Sequence, residues 1–294
     1  MTLAYPAGAP TTTGTRLSVD RLLKSPTVLA KRIVTDDTKF MSDLVFRPGT
    51  TESGAVIYSE SAIEDRYPTR GEFTEIAPGS AYPMVDIAES ADKVALSTKY
   101  GAGYEVTVEA KRRNQLNVIA KGNLKLRNAL LRQDAARCLA AFEAKVPTVN
   151  STGAWTTTKV WKTDLLQAKA SIVGLRLGYN PDTVMISPKT ETDLLLLDDL
   201  QNWSPKENKA LNPLYSPSIA GLLGFNWLVN EFVDDDQAIL LQTGVTGVNI
   251  VESPYTVQVI PDPLLGKEYV IADKWGVPII DEPGSALVIT GIGS

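Results

Sequence analysis

Apolar residues recur through the middle of the chain at three- and four-residue steps or their sums: Leu116, Ile119, Leu126, Leu130, Cys138 and Phe142. A stripe of this kind is the buried face of one α-helix, expected over residues 108–144. At 1.5 Å per residue such a helix runs about 55 Å, the span of a whole domain. Thr107 stands where an N-cap is needed, Glu109 lies beside the positive end of the dipole, and Gly122 is the expected point of a bend.

Ahead of this helix the pattern dissolves. Residues 47–92 are short extended pieces between turn residues (PGTTESG, AVIYSES, DRYPTRGEFTEIAPGSAYP), with few large apolar residues on any one side. A segment this thin in apolar content cannot build its own core. It is expected to project as a two-stranded loop whose partner lies on another molecule.

The flanks are easier to read. Residues 1–16 are Thr, Ala, Pro and Gly with almost no charge, an arm expected to order only against a partner. Ser25 and Pro26 then suit the N-cap and first position of a short helix reaching about Ile33. After Pro147 the texture becomes compact α/β: KTDLLQAKASIVGLR as helix, DTVMISP as buried strand, KTETDLLLLDDL as helix. Residues 201–218 read as loop, and the remainder as short strands punctuated by Pro, Asp and Gly.

Charge sharpens this division. Residues 47–92 hold nine acids and three arginines, a net of −6, while the helical region holds nine cations and three acids, a net of +6. The whole chain is at −5, without the basic excess of a free nucleic-acid binder. The cations of the helix suit phosphate neutralisation, a solvated face with ion pairs, or pairing with the acidic loop of a neighbouring subunit.

Absences narrow the chemistry. The chain has no histidine, so the usual general base and the commonest metal ligand are missing, and Ser or Cys triads of the ordinary kind are excluded. One cysteine, Cys138, permits neither an internal disulfide nor a zinc cluster. The GAG at 101–103 fails as a dinucleotide fingerprint because Val106 occupies the third glycine position. Gly266-Lys267 fails as a P-loop because Pro261 and Glu268 stand at required positions, and Asp234, Asp235 and Asp236 lack the spacing of a calcium loop. No apolar run approaches membrane-spanning length and the N-terminus has no signal-peptide pattern, so a cytoplasmic site of synthesis is expected. Lys-Ser or Lys-Asp chemistry is left open without a motif to support it, and no metal or cofactor is expected.

LLKSPTVLAKRI, GAVIYSES, APGSAYP, KYGAGYEVTVEAKRRN and KWGVPIIDEPGSALVITGI, in this order and spacing, resemble the major capsid proteins of tailed bacteriophages, with the Hong Kong ninety-seven fold. The resemblance implies an α+β chain divided into an N-terminal arm (1–46), an extended E-loop (47–92), a P-domain with a long spine helix (93–147), an A-domain (148–245) and C-terminal strands returning to the P-domain (246–294). It implies E-loop contacts between subunits through Glu52, Glu60, Glu64, Asp65, Arg66, Arg70, Glu72 and Glu75. Tyr100, Gly101, Gly103 and Thr107 would turn the chain from the E-loop into the spine helix. Lys111, Arg112, Arg113, Lys121, Lys125 and Arg127 would form a basic face toward the lumen or a neighbour.

The implied function is an icosahedral shell of hexamers and pentamers around double-stranded DNA. It would be assembled in the host bacterial cytoplasm with separate scaffold and portal proteins, and with decoration proteins as further candidates. The family's founding member cross-links an E-loop lysine to an asparagine of another subunit. Residues 47–92 hold no lysine, so a shell without covalent links is expected. Two alternatives remain open at this point: an encapsulin-like nanocompartment shell, and a histidine-free α/β enzyme or ligand-binding protein suggested by residues 148–245.

Overall fold

The computed structural model describes residues 19–33, 40–67, 75–84, 90–157, 159–197 and 222–293. The arm at 1–16, Arg70, Glu72, the side chain of Glu64 and the loop at 201–218 lie outside the described residues.

Three short helices come first: α1 (Val19–Leu23), α2 (Pro26–Ile33) and α3 (Met41–Val45). Pro26 opens α2, where its missing N–H is not needed and its fixed φ suits the first turn. β1 (Arg47–Thr50) leads to a two-stranded antiparallel ribbon, β2 (Ala55–Ser59) with β3 (Asp92–Leu96), and the one-turn helix α4 (Ile63–Arg66) lies between them in sequence. β4 (Thr98–Thr107) then runs into α5 (Val108–Arg112) and α6 (Leu116–Lys145).

The long helix is therefore broken near its start rather than continuous over 108–144. Asn114 sits at φ +52 between α5 and α6, a left-handed conformation that asparagine tolerates better than most residues. Its Oδ1 accepts from the Val19 N–H at 2.8 Å, tying the break to α1. An apolar periodicity cannot register a break at a polar position. The 30 residues of α6 still span about 45 Å.

The rest of the chain supplies β5 (Thr148–Asn150), α7 (Val160–Gly174), β6 (Thr183–Ile186), α8 (Pro188–Leu195), β7 (Asn226–Val229), β8 (Gln237–Leu241), β9 (Gly247–Asp262), β10 (Lys267–Ile280) and β11 (Ala286–Thr290). Two sheets result, ordered β1-β9-β10-β4 and β5-β11-β8-β6-β7. The strands after residue 246 do not return together. β9 and β10 form a long hairpin in the first sheet, whereas β11 inserts between β5 and β8 of the second. The reason is composition: Ala286, Leu287, Val288 and Ile289 are all buried, and a strand apolar on both faces needs a layer on each side.

Those layers are α7 and the C-terminal half of α6. Trp161, Leu165, Ala168 and Ile172 of α7 pack on Val184, Ile186, Leu240, Leu287 and Ile289. The alternate residues Met185, Ile239, Leu241 and Val288 face Ala135, Cys138 and Phe142 of α6, with Met41 and Val45 of α3. The N-terminal half of α6 serves a different core, where Ile119, Leu126 and Leu130 meet Val106, Val257, Val270 and Ala272 of the four-stranded sheet and Leu22, Leu29 and Ile33 of α1 and α2. One rigid helix thus holds both sheets.

Candidate functional site

Tyr100, Gly101 and Gly103 do not turn the chain. They lie within β4, which pairs without interruption from Thr98 opposite Gly276 to Thr107 opposite Lys267. Alternation explains their types. Tyr100, Ala102, Tyr104 and Val106 pack toward the α6 core, so Lys99, Gly101, Gly103 and Glu105 take the opposite face. A Cβ on Gly101 would collide with the Ala272 carbonyl, so glycine here permits close approach of β4 to β10. Thr107 ends the strand and caps α5, its Oγ1 accepting from the Ala110 N–H at 3.2 Å.

Gly122 likewise serves contact rather than bending. An added Cβ would lie 2.7 Å from carbons of the Tyr104 ring. The ring is held there by its hydroxyl, which donates to Asn123 Oδ1 at 2.7 Å, and burial pushes the phenol up to about 12. Strand and helix are locked together at this point.

The β2–β3 ribbon leaves one face uncovered. Ile57, Val94 and Leu96 are 70%, 63% and 66% exposed, and the register, Ile57 opposite Val94 and Ala55 opposite Leu96, puts all three on one side. Tyr82 and Met84 are also exposed. Beyond the ribbon, residues 60–67 are not suspended freely but tied to their own chain. Glu60 bonds Lys93 at 2.6 Å and also Lys145; burial opposes its ionisation, and the two ammonium groups outweigh that and lower its pKa. Asp65 accepts from the Ala62 and Ser90 N–H groups, both at 2.7 Å, and these bonds lower its pKa. Arg66 donates to the Leu177 carbonyl at 2.6 Å and to Glu282 at 3.0 Å. Glu60, Asp65 and Arg66 thus have partners within the chain, with Asp65 and Arg66 still exposed, and Glu52 and Glu75 are exposed as well. The return limb of the loop extends to Leu96 and so contains a lysine, Lys93, paired with Glu60.

The cations of the helical region separate similarly. Lys111 is an internal tie, bonded to Glu268 at 2.5 Å and Asp20 at 3.0 Å. Burial would lower its pKa, but these two carboxylates raise it. Arg112, Arg113, Lys121 and Lys125 are exposed and Arg127 is half-buried.

Two polar clusters carry no signal in the sequence. Glu282 accepts from Ser61 Oγ at 2.7 Å and from Tyr179, while neighbouring Asp281 accepts from Arg47; burial raises the Asp281 pKa against the pull of Arg47. Buried Asp134 of α6 accepts from the Ser42 N–H at 3.0 Å and the Ser42 hydroxyl at 2.8 Å, with the Lys274 ammonium 3.9 Å away. Both join residues more than ninety positions apart. Among the described residues no cluster of His, Cys, Asp and Glu is placed to hold a metal ion, and no helix is long and apolar enough to cross a membrane.

A helix spanning two sheets, a projecting ribbon and a long β-hairpin define the Hong Kong ninety-seven type of capsid fold. The capsid of Cyanophage P-SCSP1u is similar over 89% of this chain and 91% of its own, with a TM-score of 0.61 and 11% identity. A structure from Mycobacterium phage Che8 is similar over 99% and 100%, with a TM-score of 0.57 and 10% identity. A virus-like particle from Pyrococcus furiosus is similar over 90% and 97%, with a TM-score of 0.59 and 12% identity. Among curated proteins none matches the sequence. Residues 91–277 match the family described as phage capsid protein, and the chain belongs to that family. It is a structural protein of a capsid shell, and the enzyme or ligand-binding reading gives way to this one.

Proposed function

We propose that this chain is the major capsid protein of a tailed bacteriophage, closing as hexamers and pentamers into an icosahedral head around double-stranded DNA. The observation that carries the reading is the uncovered apolar face of Ile57, Val94 and Leu96 on a ribbon otherwise anchored by polar contacts. Apolar side chains on one side of a two-stranded ribbon gain stability only when another surface covers them. In this reading residues 1–46 are the arm, 47–96 the E-loop, and β4, α6, β9 and β10 the P-domain; residues 148–245 with β11 form the A-domain. Assembly takes place in the host cytoplasm, with separate scaffold and portal proteins. The exposed cations Arg112, Arg113, Lys121 and Lys125 offer sequence-independent attraction to packaged phosphate.

In this reading the shell holds without covalent links: residues 47–92 contain no lysine, and Lys93, just beyond them, is paired with Glu60. Particles boiled in detergent should run as one monomer band, and a ladder of linked oligomers would contradict this. A second reading, an encapsulin-like nanocompartment around a protein cargo, is favoured by the likeness to the archaeal virus-like particle. Nuclease-treated particles from infected cells separate the two. Protected duplex DNA supports the phage head, whereas a protein cargo without DNA supports the nanocompartment.

A further inference from the structure

Two notches on the surface of α6 carry opposite charge. The first, about 330 Å3, lies between α2 and α6: Lys31, Arg32 and Arg127 surround Ala120 and Leu124, and Leu124 is 51% exposed. The second, about 430 Å3, lies between the end of α6 and the loop before β8: Glu143, Glu231, Asp234 and Asp235 surround Leu139 and half-buried Phe232. Among the described residues none of these seven charges has an ion-pair partner in its own chain.

We infer that the basic α2–α6 notch of one copy seats against the acidic α6–β8 notch of the next, resting on the shell reading above. The partner is a second copy for three reasons. Each notch is an apolar centre rimmed by charge, and the rims are opposite in sign, the arrangement that fixes register between protein surfaces. Nucleic acid would answer only the cations; it would leave the four acids without counter-charge and has no use for the protruding Leu124. Finally, the fifteen positions from Leu124 to Leu139 place the apolar centres of the two notches about 22 Å apart along α6. One copy cannot bring two points that far apart on a rigid helix together, but successive copies can. Because the contact joins two different patches, it repeats head to tail, the kind of contact from which a ring is built when its rotation closes.

The test reverses each patch in the full chain and then both together. Arg32→Glu with Arg127→Glu forms one variant, Glu231→Arg with Asp235→Arg the second, and all four changes the third. None of these residues is buried, so circular dichroism should match wild type. Each single-patch reversal should lower the fraction sedimenting as particles by at least about tenfold, and the four-fold variant should recover to within about threefold of wild type. Wild-type particles with no recovery in the combined variant overturn this contact and leave the shell reading standing. The contact is also overturned if reversing the basic patch leaves assembly intact and lowers only the nucleic acid retained. A wild-type chain that never leaves the monomer overturns both.

Discussion

Replacing Gly122 by alanine sets two effects of known size against each other. Within a helix, Gly→Ala is worth about 1 kcal/mol in favour of the variant, because glycine gives up more backbone freedom on folding. Against this, the new methyl would stand 2.7 Å from carbons of the Tyr104 ring, well inside contact distance. The ring cannot simply swing aside, since its hydroxyl is bonded to Asn123 and its strand is paired along ten residues. Overpacking of this kind costs about 1–3 kcal/mol. The clash should therefore win, leaving Gly122→Ala about 1 kcal/mol less stable in urea unfolding of the unassembled chain followed by circular dichroism. In a Tyr104→Val background, which keeps strand preference but removes the ring, the same change should stabilise by about 1 kcal/mol. The coupling between the two sites is then about 2 kcal/mol. Equal stabilisation in both backgrounds would falsify the claim that the ring dictates glycine at this position.

Phe142 is fully buried and stacks on Phe46 at 5.5 Å between centroids; Phe142→Ala should cost about 3–5 kcal/mol, read as a fall in the denaturation midpoint. Asp164 is held below the usual carboxylate range: burial opposes its charge, but Ser151, Thr152 and the Trp155 indole N–H outweigh it. Its contribution is present above the ordinary pKa and lost as pH falls through the depressed folded value, so Asp164→Asn should cost more stability at about pH 7 than at about pH 3. Asp281 has the opposite sign, its pKa being raised by burial. Its ionised form weighs against the fold as pH rises, so any gain from Asp281→Asn should grow above about pH 4 in paired urea titrations. On the ribbon, Ile57→Asp with Leu96→Asp should leave circular dichroism unchanged and abolish fast-sedimenting species; normal particles from this variant would show that the uncovered face is not an assembly surface.

Legibility followed the range of the interaction. The stripe from Ile119 to Phe142 announced α6 because one helix face is buried along its whole length, and Pro26 and Thr107 marked helix starts through chemistry acting over three residues. Periodicity could not see Asn114, where a polar residue breaks the helix by bonding Val19 ninety-five positions away. Glycines are ambiguous in sequence: Gly101 and Gly122 allow close contact without a turn, and only their neighbours across the sheet and core reveal it. The placement of β11 needed the knowledge that both of its faces are covered. At the candidate site, the open face of Ile57 and Val94 has no signature in the sequence, because whether a ribbon's apolar side is covered depends on what packs against it. Two of the loop acids, Glu60 and Asp65, also have partners within the chain that their sequence neighbourhood does not announce. Pairs such as Arg66 with Glu282, 216 residues apart, have no local signature at all.

The central claim is that surfaces left open in one copy are closed by others. Electron micrographs of the purified full-length chain, taken over a range of concentrations, test it most directly. Closed particles or capsomer rings are the expected result, with the Ile57 and Val94 amides shielded from hydrogen exchange only after assembly. A chain that stays monomeric at every concentration, with those amides already shielded, would contradict it.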